Sequence, residues 1–222
     1  MSKRNWREND RYKKEMSNNE ILSCSDKLII KRELERKYPG AMDAVEKLLS
    51  LIGENPDREG LRDTPFRVVK SWLEIYSGYD EDSGKLNTFF EENIGVQPDE
   101  IVMCKNITFY SVCEHHMLPF HGVCHIGYLP SKRVIGLSKL VRLVELYSRR
   151  LQIQEKLCAQ IADKLVDLLQ PQGVGVVMQA QHFCMSSRGV KNYTAKMITS
   201  AMRGKFRTQS QTRSEFLSLI KD

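Results

Sequence analysis

Residues 136–170, GLSKLVRLVELYSRRLQIQEKLCAQIADKLVDLLQ, carry two amphipathic periodicities in succession. Leu140, Leu143, Val144 and Tyr147 form the first stripe, and Ile153, Leu157, Ile161, Leu165 and Leu168 the second. Each stripe buries one helix face and leaves the other to water, so the chain must provide an apolar surface wide enough for both. The flanking segments provide it. EIVMCKNITFYSV (100–112) and GVCHIGYLP (122–130) precede the helices, and GVGVVMQAQHFCM (173–185) and YTAKMITSAMR (193–203) follow them. All four are short and rich in β-branched or aromatic residues, as strands are. Strand pair, two helices and strand pair predict an α+β fold with a mainly antiparallel sheet covered by helices.

Upstream, the pattern is helical. SDKLIIKRELERKY (25–38) reads as a short helix stopped by Pro39-Gly40. In AMDAVEKLLSLIGE (41–54), Ala44, Val45, Leu48, Leu49 and Ile52 recur at helical spacing. DTPFRVVKSWLEIYSGY opens with Thr64 as N-cap and Pro65 at the first helical position, and Val69, Trp72, Leu73 and Tyr76 form its stripe. A last helix is expected at TRSEFLSLI, where Thr212 and Glu215 have capping-box spacing. Residues 1–22 are polar without sustained periodicity and are expected to be disordered or frayed. The simplest division is a charged tail over 1–40 and one domain over 41–222, helical to about residue 95 and sheet-based from 96.

Charge narrows the partners. The formal net charge is +6, and residues 1–40, with eleven Lys/Arg against seven Asp/Glu, account for +4 of it. The remainder is close to neutral, so the charge does not argue for a nucleic-acid-binding body. No apolar run approaches a membrane span, and the N-terminus lacks the apolar stretch of a secretory signal. Six scattered cysteines in a chain of 222 residues do not suggest a disulfide framework. A reducing cytoplasmic compartment is expected, where clustered Cys and His point to metal or catalysis.

Such a cluster is present. SVCEHHMLPFHGVCH (111–125) holds two of the six cysteines and four of the five histidines. Cys113 and His116, at i and i+3, let a tight turn aim a thiolate and an imidazole at one ion. Further ligands are available nearby as His115, His121, Cys124 and His125, or at a distance as His182 and Cys184. Cys124 and His125 fall within a strand, where neighbours point to opposite faces, so they make a poor pair. On QAQHFCM, His182 and Cys184 would share one strand face about 6–7 Å apart. A Cys113–His116–Cys184 set would leave the fourth tetrahedral position open, as in catalytic zinc sites. His182 and His115 would then stand beside the metal as candidate proton-transfer groups.

The substrate side is less sharply marked. Ser138, Lys139 and Arg142 lie off the buried stripe of the first helix and could hold phosphate oxygens, as could Arg188, Arg67 and Lys70. Cations on a polar helix face are also commonly just solvated. Glu155 begins the second helix on its polar side. A carboxylate there can pair with the adjacent donors of a guanine, or merely complement the helix dipole.

Taken together, TPFRVVKSW, CEHHMLPFHG, HIGYLP, VIGLSKLVRLVELYSRRLQIQEKL, QHFCM, RGV and TRSEFL closely resemble GTP cyclohydrolase I, in order and over nearly everything from residue 41 onward. The resemblance implies a T-fold and a homo-oligomer, usually a decamer of two pentamers with sites at subunit interfaces. It implies conversion of GTP and water to formate and 7,8-dihydroneopterin triphosphate. It assigns Zn2+ to Cys113, His116 and Cys184, and proton transfer to His115 and His182. Ser138, Lys139, Arg142 and Arg188 match triphosphate-side residues, with Arg67 and Lys70 as additions, and Glu155 with Gln154 beside it matches the guanine reader. Two other readings compete. A zinc-stabilised nucleic-acid-binding module with a basic N-terminal arm would have a closed four-ligand site and leaves Glu155 and His182 unexplained. A T-fold relative acting on another purine or pterin has to account for the joint presence of the Cys–His–Cys set, His182 and Glu155.

Overall fold

The computed structural model describes residues 24–80, 89–90 and 100–221. The expected disorder of residues 1–22 lies outside them. The chain divides between Glu74 and Ile75 into two compact units.

The first unit is helical: α1 (Cys24–Lys37), α2 (Ala41–Leu51) and α3 (Thr64–Ile75). The expected helix at 25–38 is α1, and it contributes Ile30 and Leu34 to a core shared with Met42, Val45, Phe66 and Val69. Gly40, at φ 76°, makes the turn between α1 and α2 in the left-handed region that glycine tolerates. The apolar stripe expected on α2 is only partly buried. Val45 is in the core, whereas Leu48 and Ile52 are 52% and 71% exposed. Three short helices enclose too little volume to cover so wide a stripe. Trp72 of α3, expected inside, is likewise exposed.

The second unit carries the sheet. Its elements are a 3-10 turn (Ser77–Tyr79), β1 (Phe89–Phe90), β2 (Val102–Cys113), β3 (Pro119–Leu129), β4 (Val134–Ile135), α4 (Leu137–Ser148), β5 (Leu151–Gln152) and α5 (Gln154–Leu169). β6 (Gly173–His182), α6 (Phe183–Ser186), β7 (Met197–Gly204), α7 (Lys205–Thr208) and α8 (Ser210–Ile220) follow. Five strands align in the order β5-β2-β3-β6-β7, and β1 pairs with β4 separately. Every pairing in the larger sheet is antiparallel except that of β5 with the end of β2. This is the expected α+β arrangement, and among the described residues no helix is long and apolar enough to cross a membrane.

The two central helices fill one sheet face. Leu140, Leu143 and Val144 of α4 and Leu157, Ile161 and Leu165 of α5 pack with Phe120, Cys124, Ile126 and Tyr128 of β3 and Val174, Val176 and Met178 of β6. Alternation along β3 and β6 sends Leu129 and Val177 to the opposite face, where they meet Phe206 and Phe216 of the C-terminal helices. Gly127 and Gly175 lie beneath those rings. A Cβ at Gly175 would sit 2.6 Å from Phe206 Cδ1, and one at Gly127 2.7 Å from Phe216 Cδ2. The capping box expected at Thr212 does not form. α8 starts at Ser210, and the Thr212 hydroxyl donates to Gln209 Oε1.

Candidate functional site

β2 ends at Cys113, and the chain returns into β3 through a loop of residues 114–118. Cys113 N–H donates to Leu118 O (2.9 Å), and Met117, at φ 53°, donates back to Cys113 O (2.9 Å). This turn is tight enough to bring His116 over Cys113. Cys113 is buried and His116 exposed at the mouth of the loop. Glu114 N–H donates to Gln152 O (3.0 Å), tying the loop to β5.

The third member arrives differently from the sequence expectation. β6 stops at His182, and Cys184 sits in the helical turn α6, not on a strand face shared with His182. The reason lies in the neighbouring strand. His182 pairs with Phe120, and the next position of β3 is Pro119, its first residue, whose nitrogen has no hydrogen to extend the ladder. Freed from the sheet, the chain coils and delivers Cys184 to Cys113 and His116. The ligand atoms of all three lie within 4.8 Å of one another.

Two thiols and an imidazole so close together suit a borderline-soft divalent ion such as zinc. The electrostatics agree with this. Burial raises the Cys184 thiol above its ordinary range, and the Cys113 sulfur raises it further. Two thiolates at this separation need a cation between them. Cys124 and Cys158 are of another kind: burial pushes the Cys124 thiol well up and that of Cys158 up to about 11, so both are neutral core residues.

His115 lies beside the group, with Nδ1 3.9 Å from Cys113 Sγ. His182 is half-buried and stacked on Phe120, and its Nε2 is 2.8 Å from Gln154 Oε1. Burial pulls its pKa down, against an opposing pull from the Glu155 carboxylate. Glu155 is exposed in the first turn of α5, and Lys156 beside it reaches Glu114 of the 114–118 loop at 3.8 Å. The fold thus places His115 beside Cys113, and Glu155 close enough to His182 to act on its charge.

The basic set is more dispersed. Ser138, Lys139 and Arg142 occupy the first turns of α4, and among the described residues no hydrogen bond or ion pair links them to the Cys–His–Cys group. Arg188 follows α6 and is close enough to favour the Cys184 thiolate. Arg67 and Lys70 belong to the helical unit, where Arg67 pairs with Asp63 (3.7 Å). Gln154, expected beside Glu155 in the guanine reader, turns its side chain inward and is 1% exposed. Phe120 was not singled out from the sequence, because its role depends on the β3–β6 register.

His121 and His125, the other histidines of the cluster, are sheet residues. His121 stacks on Tyr110, and the buried His125 accepts a hydrogen bond from Asn106 N–H at Nδ1 (3.4 Å).

Comparison with known proteins bears directly on this arrangement. The family model for GTP cyclohydrolase I matches residues 41–221. The chain belongs to the GTP cyclohydrolase I family. A GTP cyclohydrolase 1 of Wolinella succinogenes is 50% identical over 189 residues, covering 85% of this chain and 100% of that protein. A GTP cyclohydrolase 1 of Mycobacterium ulcerans is 52% identical over 185 residues, covering 82% of this chain and 90% of that one. Among solved structures, the apo form of an archaeosine synthase QueF-Like covers 49% of this chain and 97% of its own, at 18% identity and a TM-score of 0.41. Family membership makes the chain an enzyme with GTP as its substrate.

Proposed function

We propose that this family member is a zinc-dependent cytoplasmic hydrolase that converts GTP and water to formate and 7,8-dihydroneopterin triphosphate, the first step of pterin synthesis. The observation that carries the zinc assignment is the convergence of Cys113, His116 and Cys184. Three protein ligands leave a coordination position for a reactant. When bound there, zinc supplies Lewis acidity that activates water near neutral pH.

The chain's own residues do the rest. Glu155 accepts the paired donors on the Watson–Crick edge of guanine, two hydrogen bonds that an adenine ring does not offer. His115, next to Cys113, donates a proton to the imidazole nitrogen of the base as the ring opens. His182, its pKa lowered by burial, moves protons during formate loss and ribose opening. Ser138, Lys139, Arg142 and Arg188 hold the triphosphate. Among the described residues Lys139, Arg142 and Arg188 have no ion-pair partner, which leaves them available to an anion.

The working form in this reading is a homo-oligomer, a decamer of two pentamers with sites between subunits. Its support is the sheet's two open edges. β5 covers β2 only at Val112 and Cys113, and β7 pairs on one side only among the described residues. A groove of about 440 Å³ runs along β7 past Glu155, Arg203 and Arg207. Unpaired edges of this kind are closed in stable proteins by another chain or a covering element.

Zinc-loaded protein incubated with GTP is expected to release formate and a product that becomes fluorescent neopterin after oxidation and phosphatase treatment. Absence of both products would sink the assignment.

A further inference from the structure

We infer that Gln154 is a positioning residue for His182: its side-chain amide fixes the imidazole in the tautomer protonated at Nε2, leaving Nδ1 as the nitrogen that exchanges protons with the reactant. The inference rests on the role given to His182 above and removes the Gln154 side chain from the guanine-reading set.

The amide's orientation is set by its neighbours. Gln154 Nε2 lies 3.1 Å from each of Met178 O, Met197 O and Thr199 Oγ1. Two of these are backbone carbonyls, which only accept, so the NH2 end of the amide faces β6 and β7. The other end is therefore the oxygen, and it faces His182 Nε2 at 2.8 Å. An amide oxygen only accepts as well, so Nε2 carries the hydrogen. In the neutral ring the lone pair then falls on Nδ1, which has no hydrogen-bond partner among the described residues.

Two contacts hold the ring. The Phe120 face fixes its plane, with centroids 4.5 Å apart and an angle of 5°, and Gln154 fixes its rotation within that plane. Gln154 opens α5, so the adjacent residues Gln154 and Glu155 point inward and outward from one helical turn. Turning Gln154 toward a substrate would break four hydrogen-bonding contacts of a side chain that is 1% exposed.

The test uses zinc-loaded enzyme labelled with 15N and 13C at histidine, studied by magic-angle-spinning NMR, with His182→Ala identifying the His182 signals. The expected signature is a hydrogen on Nε2; a ring that carries its hydrogen on Nδ1 alone overturns the inference. This readout needs no turnover, so it stands apart from the failure of the proposed reaction. Kinetics provides a second arm. Gln154→Met is expected to lower kcat about tenfold or more with little change in KM for GTP or in bound zinc. In a His182→Ala background the same substitution should change kcat by no more than about twofold. A raised KM at unchanged kcat, or the full penalty without His182, would place Gln154 on the substrate and overturn the proposal. If Gln154→Met does not fold, the tautomer of the unmodified enzyme decides.

Discussion

His182 lies flat against Phe120, with ring centroids 4.5 Å apart and planes within 5° of parallel. Phe120 is fully buried, and its own position is secured by an edge contact with Phe109 (6.0 Å, 78°). A histidine at the end of a strand would otherwise swing about two side-chain bonds. Phe120→Leu keeps the site apolar but removes the platform. Aromatic contacts of this kind contribute about 0.5–1.5 kcal/mol beyond burial, so a modest loss of stability is expected in thermal unfolding. The larger expected effect is a fall in kcat with zinc stoichiometry intact. Wild-type kcat in Phe120→Leu would show that the stacking has no functional weight.

Cys184 and His182 are two residues apart but have different roles in the proposed reaction, and substitution should separate them. Cys184→Ala removes a ligand and is expected to lose both zinc and activity. His182→Ala should retain zinc while losing turnover by roughly 10²–10⁴, the usual worth of a positioned acid or base. Metal analysis of purified variants beside formate release decides the matter. Zinc loss in His182→Ala would make it a ligand, and full activity there would remove it from catalysis.

The parts of this architecture that were legible in the sequence are those written in one local period. The stripe Leu157, Ile161, Leu165 on α5 is buried because a whole sheet lies beneath it. A similar stripe on α2 misleads, since periodicity reports which residues share a face but not how much protein is available to cover it. In the Cys–His–Cys group, Cys113 and His116 are local and readable from their spacing. Cys184 was found by residue type, and its placement was misjudged because the end of β6 is set by where β3 begins. Gln154 next to Glu155 reads as a pair in the sequence, yet the helix turns one side chain to β6 and β7 and the other to solvent.

His125 connects the sheet to pH. It is buried, accepts from Asn106 at a bulge in β2, and has its pKa lowered from 6.5, first by burial and then by Lys105. The unfolded chain therefore binds a proton at a pH where the folded chain does not. Stability falls as pH drops through 6.5 and goes on falling until the lower folded pKa is reached. Glutamine in place of His125 can still accept from Asn106 but does not titrate. His125→Gln is thus expected to flatten the slope of unfolding free energy against pH just below 6.5. An unchanged slope in denaturant titrations at several pH values would assign the dependence to other groups.

Gly175 tests how the C-terminal helices are held to the far side of the sheet. Phe206 and Phe216 meet edge to face at 5.2 Å, and both rings rest over the backbone of β6. A methyl group at Gly175 would fall 2.6 Å from Phe206 Cδ1 and 2.8 Å from Phe216 Cε1, inside contact distance of two fully buried rings at once. Neither ring can yield without disturbing the other. Gly175→Ala is expected to destabilise by about 1–3 kcal/mol, the usual cost of overpacking. Shortening one ring should relieve it, so Gly175→Ala combined with Phe206→Leu should lose less than the sum of the two single changes. Strict additivity in chemical denaturation would mean that the sheet backbone, and not the aromatic pair, absorbs the methyl group.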